Sequence, residues 1–388
     1  MSEPDVPDAP ELSVSIGSPS ASTEGASVTL TASGSGGSGG TSFVWSQTEG
    51  PNALLDNAQT ASATVLLLPL VANTTAFTFR VRATDSANST ATSSVSIDVS
   101  PAPGGETVEV QTEHDGARRT YLVYTPTTLA PDAWLVFGLH GAGGTMRDFA
   151  TDGATFRRWF ELADANGFVV VFPNGFDDGA GDGLGDNQGW NTFNTNFSSA
   201  DDFGFLLRVI GEIAAGRSIS TDHVFFSGQS NGGDMSMRMA IDAPHQVRAI
   251  APFIINLFSD PVPVPNSLPL PPAFLYMGTN DPISTFAGTS VRLSARDTVE
   301  YFADNTFSVT SPAPAFTMLT DTDPTDGCQI FEQPYEDAAG NPTVIYYEGD
   351  GGGHTVPDPN GTTNPVRGTL CRDANGIDLA FGFFQSLN

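Results

Sequence analysis

Six apolar runs dominate the C-terminal part of the chain: "WLVFGLHG", "FVVVFPNG", "HVFFSGQS", "VRAIAPFI", "AFLYMGTND" and "TVIYYEG". A strand with one wet face alternates polar and apolar residues. These runs are nearly continuous, so each strand must be covered on both faces. The intervening text supplies the cover, as amphipathic helical stretches: "TFRRWFELADANG", "DDFGFLLRVIGEIAAG", "NGGDMSMRMAID", "SVRLSARDTVEYFADN" and "GIDLAFGFFQSL". The pattern predicts an α/β fold over residues 107–388, a mostly parallel sheet with helices on both faces. In such sheets chemistry collects at the carboxyl ends of the strands.

The first hundred residues are written differently. Residues 11–100 are rich in Ser, Thr, Ala and Val, in short alternating runs such as "SVTLTASG", "TSFVWSQ", "ATVLLLPLV", "AFTFRVRATDS" and "SSVSIDVS". Apolar residues at every second position, bounded by Gly, Pro, Asn and Asp, predict six or seven antiparallel strands in a β-sandwich. "FVWSQTEGP" followed by "FTFRVRATDS" resembles the immunoglobulin-like PKD and REJ modules appended to secreted proteins. Residues 1–10 read as a tail and 101–106, "PAPGGE", as a linker.

Charge excludes whole classes of partner. Forty-four acidic residues face 15 basic ones, every one of them Arg, for a net charge of −29. Nucleic acid and anionic lipid need Lys and Arg on the surface, so neither fits. No stretch is long and apolar enough to insert in a bilayer. "MSEPDVPDAP" lacks the basic start and apolar middle of a signal peptide; an exported form would have lost its targeting segment or never carried it here. The acid excess fits a halophilic setting, where salt screens carboxylate repulsion. A GC-rich genome with a solubility-driven surface is the competing reading. Nothing in the text points to a cofactor, and a monomer is expected.

"HVFFSGQSNGG" carries the most specific chemistry. Gly228-Gln229-Ser230-Asn231-Gly232 fits G-x-S-x-G between a strand and a helix, where glycines permit the sharp turn that holds a serine Oγ out. A helix-capping serine is the plainer alternative. A reactive hydroxyl needs a base. Of five histidines, His114 and His223 lie outside suitable loops, His245 follows a helix, and His140 belongs to a glycine-rich motif. His354, in "GDGGGHTVPD" after a strand, remains. The orienting acid must lie between serine and histidine at another strand end; Asp281, closing "AFLYMGTND", is the residue so placed. "LHGAGGT" follows the first long strand, and the amides of Ala142 and Asn231 are the expected oxyanion donors. His140 is expected to brace that loop.

With these motifs in order, residues 107–388 resemble the esterase family of polyhydroxybutyrate depolymerases and feruloyl esterases, within the α/β-hydrolase superfamily. The matching text is "LHGAGGT", "ANGFVVVFPNG", "GWN", "DDFGFL", "SGQSNGGDMSMRMA", "MGTNDP" and "GGGHTVP". The resemblance implies Ser230 as nucleophile, Asp281 as orienting acid and His354 as base, with "GWN" walling the cleft. Two departures bear on substrate. Val356 stands where the family often has Trp, and Ile283 to Phe286, "ISTF", replaces "VPY". Trp190 and Phe286 are candidate flat surfaces for substrate, with core packing as the alternative. Cys328 and Cys371 bracket His354; bridged, they would fix the base's loop and point to an oxidising compartment. The Asp-rich "FDDGAGDGLGDNQG", residues 176–189, lacks the spacing of an EF-hand and reads as a solvated, mobile loop rather than a metal site. The expectation is a secreted serine carboxylesterase acting on a neutral ester polymer or oligomer. Candidates are a polyhydroxyalkanoate or other polyester, including polyethylene terephthalate, or a feruloyl or acetyl ester on a plant polysaccharide. A catalytically dead polymer-binding protein and a serine peptidase are the rivals.

Overall fold

The computed structural model describes residues 10–387 except 18, 20–21, 24–27, 51–52, 54, 57, 66–67, 69–73, 101–103, 148–153, 185–186, 194–196, 260–268 and 307–314. The chain divides into two units, Met1–Pro103 and Gly104–Asn388. Residues 1–9 of the expected tail and 101–103 of the expected linker lie outside the described residues.

Alternation shapes the first unit. Its strands are β1 (Ser13–Ile16), β2 (Ser22–Thr23), β3 (Val28–Ser35), β4 (Ser42–Glu49), β5 (Leu55–Asp56), β6 (Ser62–Val65), β7 (Thr75–Thr84) and β8 (Thr90–Ser100). They form two four-stranded sheets, ordered β1-β3-β6-β5 and β2-β8-β7-β4. Along β7, Phe77, Phe79, Val81 and Ala83 are buried while Ala76, Arg80 and Arg82 face out. These residues share one core with Leu30, Ala32 and Ala63 of the other sheet and with Trp45, Ile97 and Val99. Trp45 can be buried because its indole N–H finds the Thr60 carbonyl at 3.1 Å. Of the run "ATVLLLPLV", Ala63 to Val65 lie in β6 and Leu68 is buried, while residues 66–67 and 69–71 lie outside the described residues.

The second unit is built on one ten-stranded sheet. Its strands are β9 (Glu106–His114), β10 (Ala117–Thr125), β11 (Ala133–Leu139), β12 (Val169–Pro173), β13 (Ile219–Gln229), β14 (Ala249–Phe253), β15 (Ala273–Gly278), β16 (Thr317–Met318), β17 (Gln329–Glu336) and β18 (Pro342–Asp350). The spatial order is β16-β17-β18-β15-β14-β13-β11-β12-β10-β9. From β12 across to β18 every pairing is parallel; β9, β10, β16 and β17 add antiparallel edges. The antiparallel edges were not among the strands expected from sequence. The β9–β10 turn is Asp115-Gly116, both at positive φ (51° and 76°), as a two-residue hairpin turn requires.

Among the described residues five α-helices cover the sheet: α1 (Ala154–Asn166), α2 (Asp202–Gly216), α3 (Asn231–Asp242), α4 (Ala295–Asn305) and α5 (Gly376–Ser386). Helix α4 starts later than its apolar text because Ser294 caps it, its hydroxyl accepting from the Asp297 amide. Phe205, Val209, Met235, Met239, Val299 and Phe302 of α2, α3 and α4 pack on one face with Phe137, Phe226 and Leu275. On the other face Trp159 of α1 stacks on Phe384 of α5, which stacks on Phe225 of β13. Both faces of the central strands are therefore sealed, and function is left to the strand ends.

Candidate active site

The chain passes from β11 to β12 on one side, then returns to β13 on the other side of β11. Loops leaving β11 and β13 thus open away from each other at a switch point, where α/β sheets hold ligands. The β13 exit is the Ser230 elbow. Ser230 has φ 53° and ψ −124°, a strained backbone that turns the strand into α3 at once. Its amide donates to the Phe253 carbonyl at 3.0 Å, fixing the turn to β14. The flanking glycines are obligatory. A Cβ at Gly228 would lie 2.5 Å from the Gly232 carbonyl oxygen, and one at Gly232 would enter the carbonyls of Leu139 and His140.

The strand order places the other two candidates on the same rim, since β13, β14, β15 and β18 are consecutive neighbours. Asp281 follows β15. Its Oδ1 accepts the amides of Ile283 (2.7 Å) and Ser284 (2.8 Å), and its Oδ2 meets His354 Nδ1 at 2.7 Å. Both side chains are buried. A carboxylate so held fixes the ring's tautomer and orientation and leaves Nε2 for a proton from elsewhere. Among the described residues no hydrogen bond joins Ser230 Oγ to the imidazole. Such catalytic contacts commonly tighten only when substrate binds.

The histidine loop is tied down from behind. The His354 amide donates to the Arg367 carbonyl at 2.6 Å; the Gly353 amide and the Thr355 hydroxyl both reach the Thr369 carbonyl at 2.8 Å. Two residues on, Cys371 is bridged to Cys328, which immediately precedes β17. The disulfide thereby anchors the strip against which the base's loop is pinned.

The glycine-rich loop after β11 lies against the elbow. Gly143 donates to the Gln188 carbonyl (2.8 Å) and Gly144 to the Gly141 carbonyl (3.1 Å). The amides of Ala142 and Asn231 have no acceptor among the described residues. His140 braces this loop. Its Nε2 accepts the Gly175 amide at 2.9 Å, which assigns the proton to Nδ1, 2.8 Å from the Gly141 carbonyl. Burial lowers its pKa to about 4, so the ring is neutral through the ordinary pH range.

The two aromatic candidates fare differently. Trp190 has no exposed surface and cannot offer a face to substrate. Its indole N–H donates to the His140 carbonyl at 2.8 Å, so it is a brace buried behind the loop. Phe286 is half-buried against the core, with the Arg296 guanidinium 5.9 Å from its ring centroid. The Asp-rich segment is largely solvent-facing, as expected, and carries backbone pairing of its own. Phe176 and Gly189 exchange both backbone hydrogen bonds (2.8 and 3.0 Å), Asp177 and Asp182 pair, and Asp178 accepts from Ser199 at 3.0 Å. Residues 185–186 lie outside the described residues. Among the described residues no group of three or more His, Cys, Asp or Glu is placed to hold a metal ion.

Three supporting features escape the motifs. Asp234, in the first turn of α3, forms a two-pronged ion pair with Arg292 (2.9 and 2.6 Å). Arg292 lies 3.9 Å over the Phe258 ring, and the pair ties α3 to the segment before α4. Ile254, at the end of β14 between the serine and aspartate strands, has φ 51°, a region a β-branched residue seldom enters. Asn231 holds the backbone of Trp190 through its side-chain amide. Only Asn231, beside Ser230, carried a sequence signal.

Fold and strand-end geometry together define the second unit as an α/β-hydrolase fold, preceded by a PKD-like β-sandwich. Residues 18–99 match the family model "K319L-like, PKD domain". The chain is 29% identical over 187 residues to the bifunctional acetylxylan esterase/xylanase XynS20E of Neocallimastix patriciarum, covering 47% of this chain and 24% of that protein. It is 29% identical over 171 residues to "Probable feruloyl esterase C" of Aspergillus niger, covering 42% of this chain and 53% of that protein. Among solved structures it is similar to acetyl xylan esterase from Aspergillus awamori, with 15% identity, a TM-score of 0.47, and 72% and 99% of the two chains covered. The chain thus spans between a quarter and about half the length of these two curated relatives.

Proposed function

We propose that the chain is a secreted serine carboxylesterase. Ser230 attacks the ester carbonyl while His354 Nε2 takes its proton. Asp281 stabilises the imidazolium that forms, and the amides of Ala142 and Asn231 receive the oxyanion. His354 then returns the proton to the leaving alcohol, and water, activated by the same ring, releases the acid from Ser230. The observation that carries this reading is the 2.7 Å Asp281–His354 contact, on the strand-end rim that also bears the serine elbow.

The substrate we infer is a neutral ester carried on a polymer. Similarity to an acetylxylan esterase and a feruloyl esterase favours an acyl group on a plant-wall polysaccharide. A polyester chain is the second reading. It is supported by exposed apolar side chains beside the triad: Ile283, two residues after Asp281, and Val366, next to the Arg367 carbonyl that holds the His354 amide. The Cys328–Cys371 bridge supports export to an oxidising compartment. The test is turnover on p-nitrophenyl butyrate, methyl ferulate, acetylated xylan, polyhydroxybutyrate and aromatic polyester film, with fluorophosphonate labelling of Ser230. Labelling with ester turnover is expected. Absence of both would leave a non-catalytic binding protein, and amide cleavage at comparable rates would make it a peptidase.

A further inference from the structure

The two expected oxyanion donors come from loops far apart in sequence, and something must hold them at a fixed separation. Donors of this kind act only when preorganised to within about half an ångström of their working position. One residue touches both loops. The Trp190 indole donates to the His140 carbonyl, which lies on the peptide just before the one that bears the Ala142 amide. The Trp190 main chain binds the side chain of Asn231 in both directions, its N–H donating to Oδ1 at 2.7 Å and its carbonyl accepting from Nδ2 at 3.2 Å. Asn231 is itself the second donor, through its own amide.

Trp190 is in turn anchored so that it can act as a gauge. Before it, Gly189 is paired with Phe176. After it, the Asn191 amide donates to Asp202 at 2.7 Å, and Arg238 of α3 donates to the Asn191 and Thr192 carbonyls at 2.5 and 3.0 Å. The His140 ring closes the packing, its centroid 5.0 Å from that of Trp190. Both Trp190 and Asn231 are buried, so water is a poor substitute for either contact.

We propose that Trp190 is a positioning residue of the oxyanion hole, setting the distance between the Ala142 and Asn231 amides through its indole N–H and its clasp on the Asn231 side chain. It touches no reacting atom. This inference rests on the esterase reading above.

The decisive variant removes the indole donor while keeping the bulk: the isosteric replacement of Trp190 by 3-benzothienylalanine, which exchanges N–H for sulfur without opening a cavity. W190F also removes the donor but leaves a void at this fully buried site, so it serves as the comparison. A one-ångström misplacement of such groups costs up to about a hundredfold in rate. The expectation is a fall in kcat of roughly tenfold to a hundredfold on p-nitrophenyl butyrate, with KM changed less than about twofold. Affinity for a trifluoromethyl ketone, whose tetrahedral adduct carries the oxyanion, should fall by the same factor as kcat. Equal losses in kcat and 1/KM, or a kcat loss with unchanged ketone affinity, would overturn the proposal. Hydrogen exchange of peptides spanning residues 139–145 needs no turnover. It should quicken in the isosteric variant, and unchanged exchange there would overturn the indole tether to the His140 carbonyl, and the proposal with it, even if the wild-type protein hydrolysed no ester. Failure of wild-type hydrolysis with quickened loop exchange would instead sink only the esterase reading.

Discussion

Acid should weaken this protein through one buried imidazole. His140 accepts the Gly175 amide on Nε2 and has its pKa lowered to about 4, chiefly because burial disfavours the charged ring. In the unfolded chain the same group titrates near 6.5. Between those values the unfolded chain binds a proton that the folded one refuses. The stabilising contribution of the neutral ring is therefore full above about pH 6.5 and lost as pH falls toward 4. From the two values the loss relative to pH 7 is about 2 kcal/mol at pH 5 and about 3 kcal/mol at pH 4. Urea unfolding, followed by fluorescence from Trp134, Trp159 and Trp190, should show it. In H140Q the side-chain carbonyl can still accept from Gly175 but nothing titrates, so its stability should decline less over the same range, by about those amounts. Parallel pH curves for the two proteins would refute the assignment of the proton to Nδ1 and the burial argument with it.

Three further outcomes are expected. D281N should lower kcat on p-nitrophenyl butyrate by on the order of 10⁴, because an amide can hold the ring in the wrong tautomer; a loss below tenfold would show that Asp281 does not orient the base. Replacing both Cys328 and Cys371 by alanine opens a crosslink spanning 43 positions. It should cost roughly 4 kcal/mol in urea denaturation, and an unchanged midpoint would mean the strip beside His354 is held without it. Raising NaCl from about 0.1 M to 1 M shortens the screening length from about 10 to 3 Å, so the thermal midpoint should rise if repulsion within the net charge of −29 matters. A midpoint that falls would remove the halophilic reading.

The parallel sheet was legible because strands buried on both faces cannot hide their composition: "FVVVFP" has no polar side to confuse. Ser230, Asp281 and His354 could be singled out as candidates for a related reason, since each closes or follows such a run. The edges were harder. β9 alternates without a strong apolar face, and β17 carries Glu and Pro. Trp190 stayed open between substrate surface and core packing because residue type tells how much surface a side chain has, and only packing decides whether that surface meets solvent. The Asp234–Arg292 pair joins residues 58 positions apart, and no local pattern encodes such a meeting. Ile254 is the extreme case. Its positive φ opposes its own preference, so the conformation must be imposed by the neighbouring strands.

The crowding around the elbow also determines where this protein can change. Gly228, Gly232 and Gly233 each lack room for one extra carbon, against Gly232 itself, the Leu139–His140 backbone and Ile255. Drift or directed evolution must leave that corner alone. The permissive ground is the exposed side chains of Ile283 and Thr285 and of the turn from Pro365 to Arg367, where Ile283 and Val366 stand open to water. Libraries aimed at reshaping the candidate site belong there.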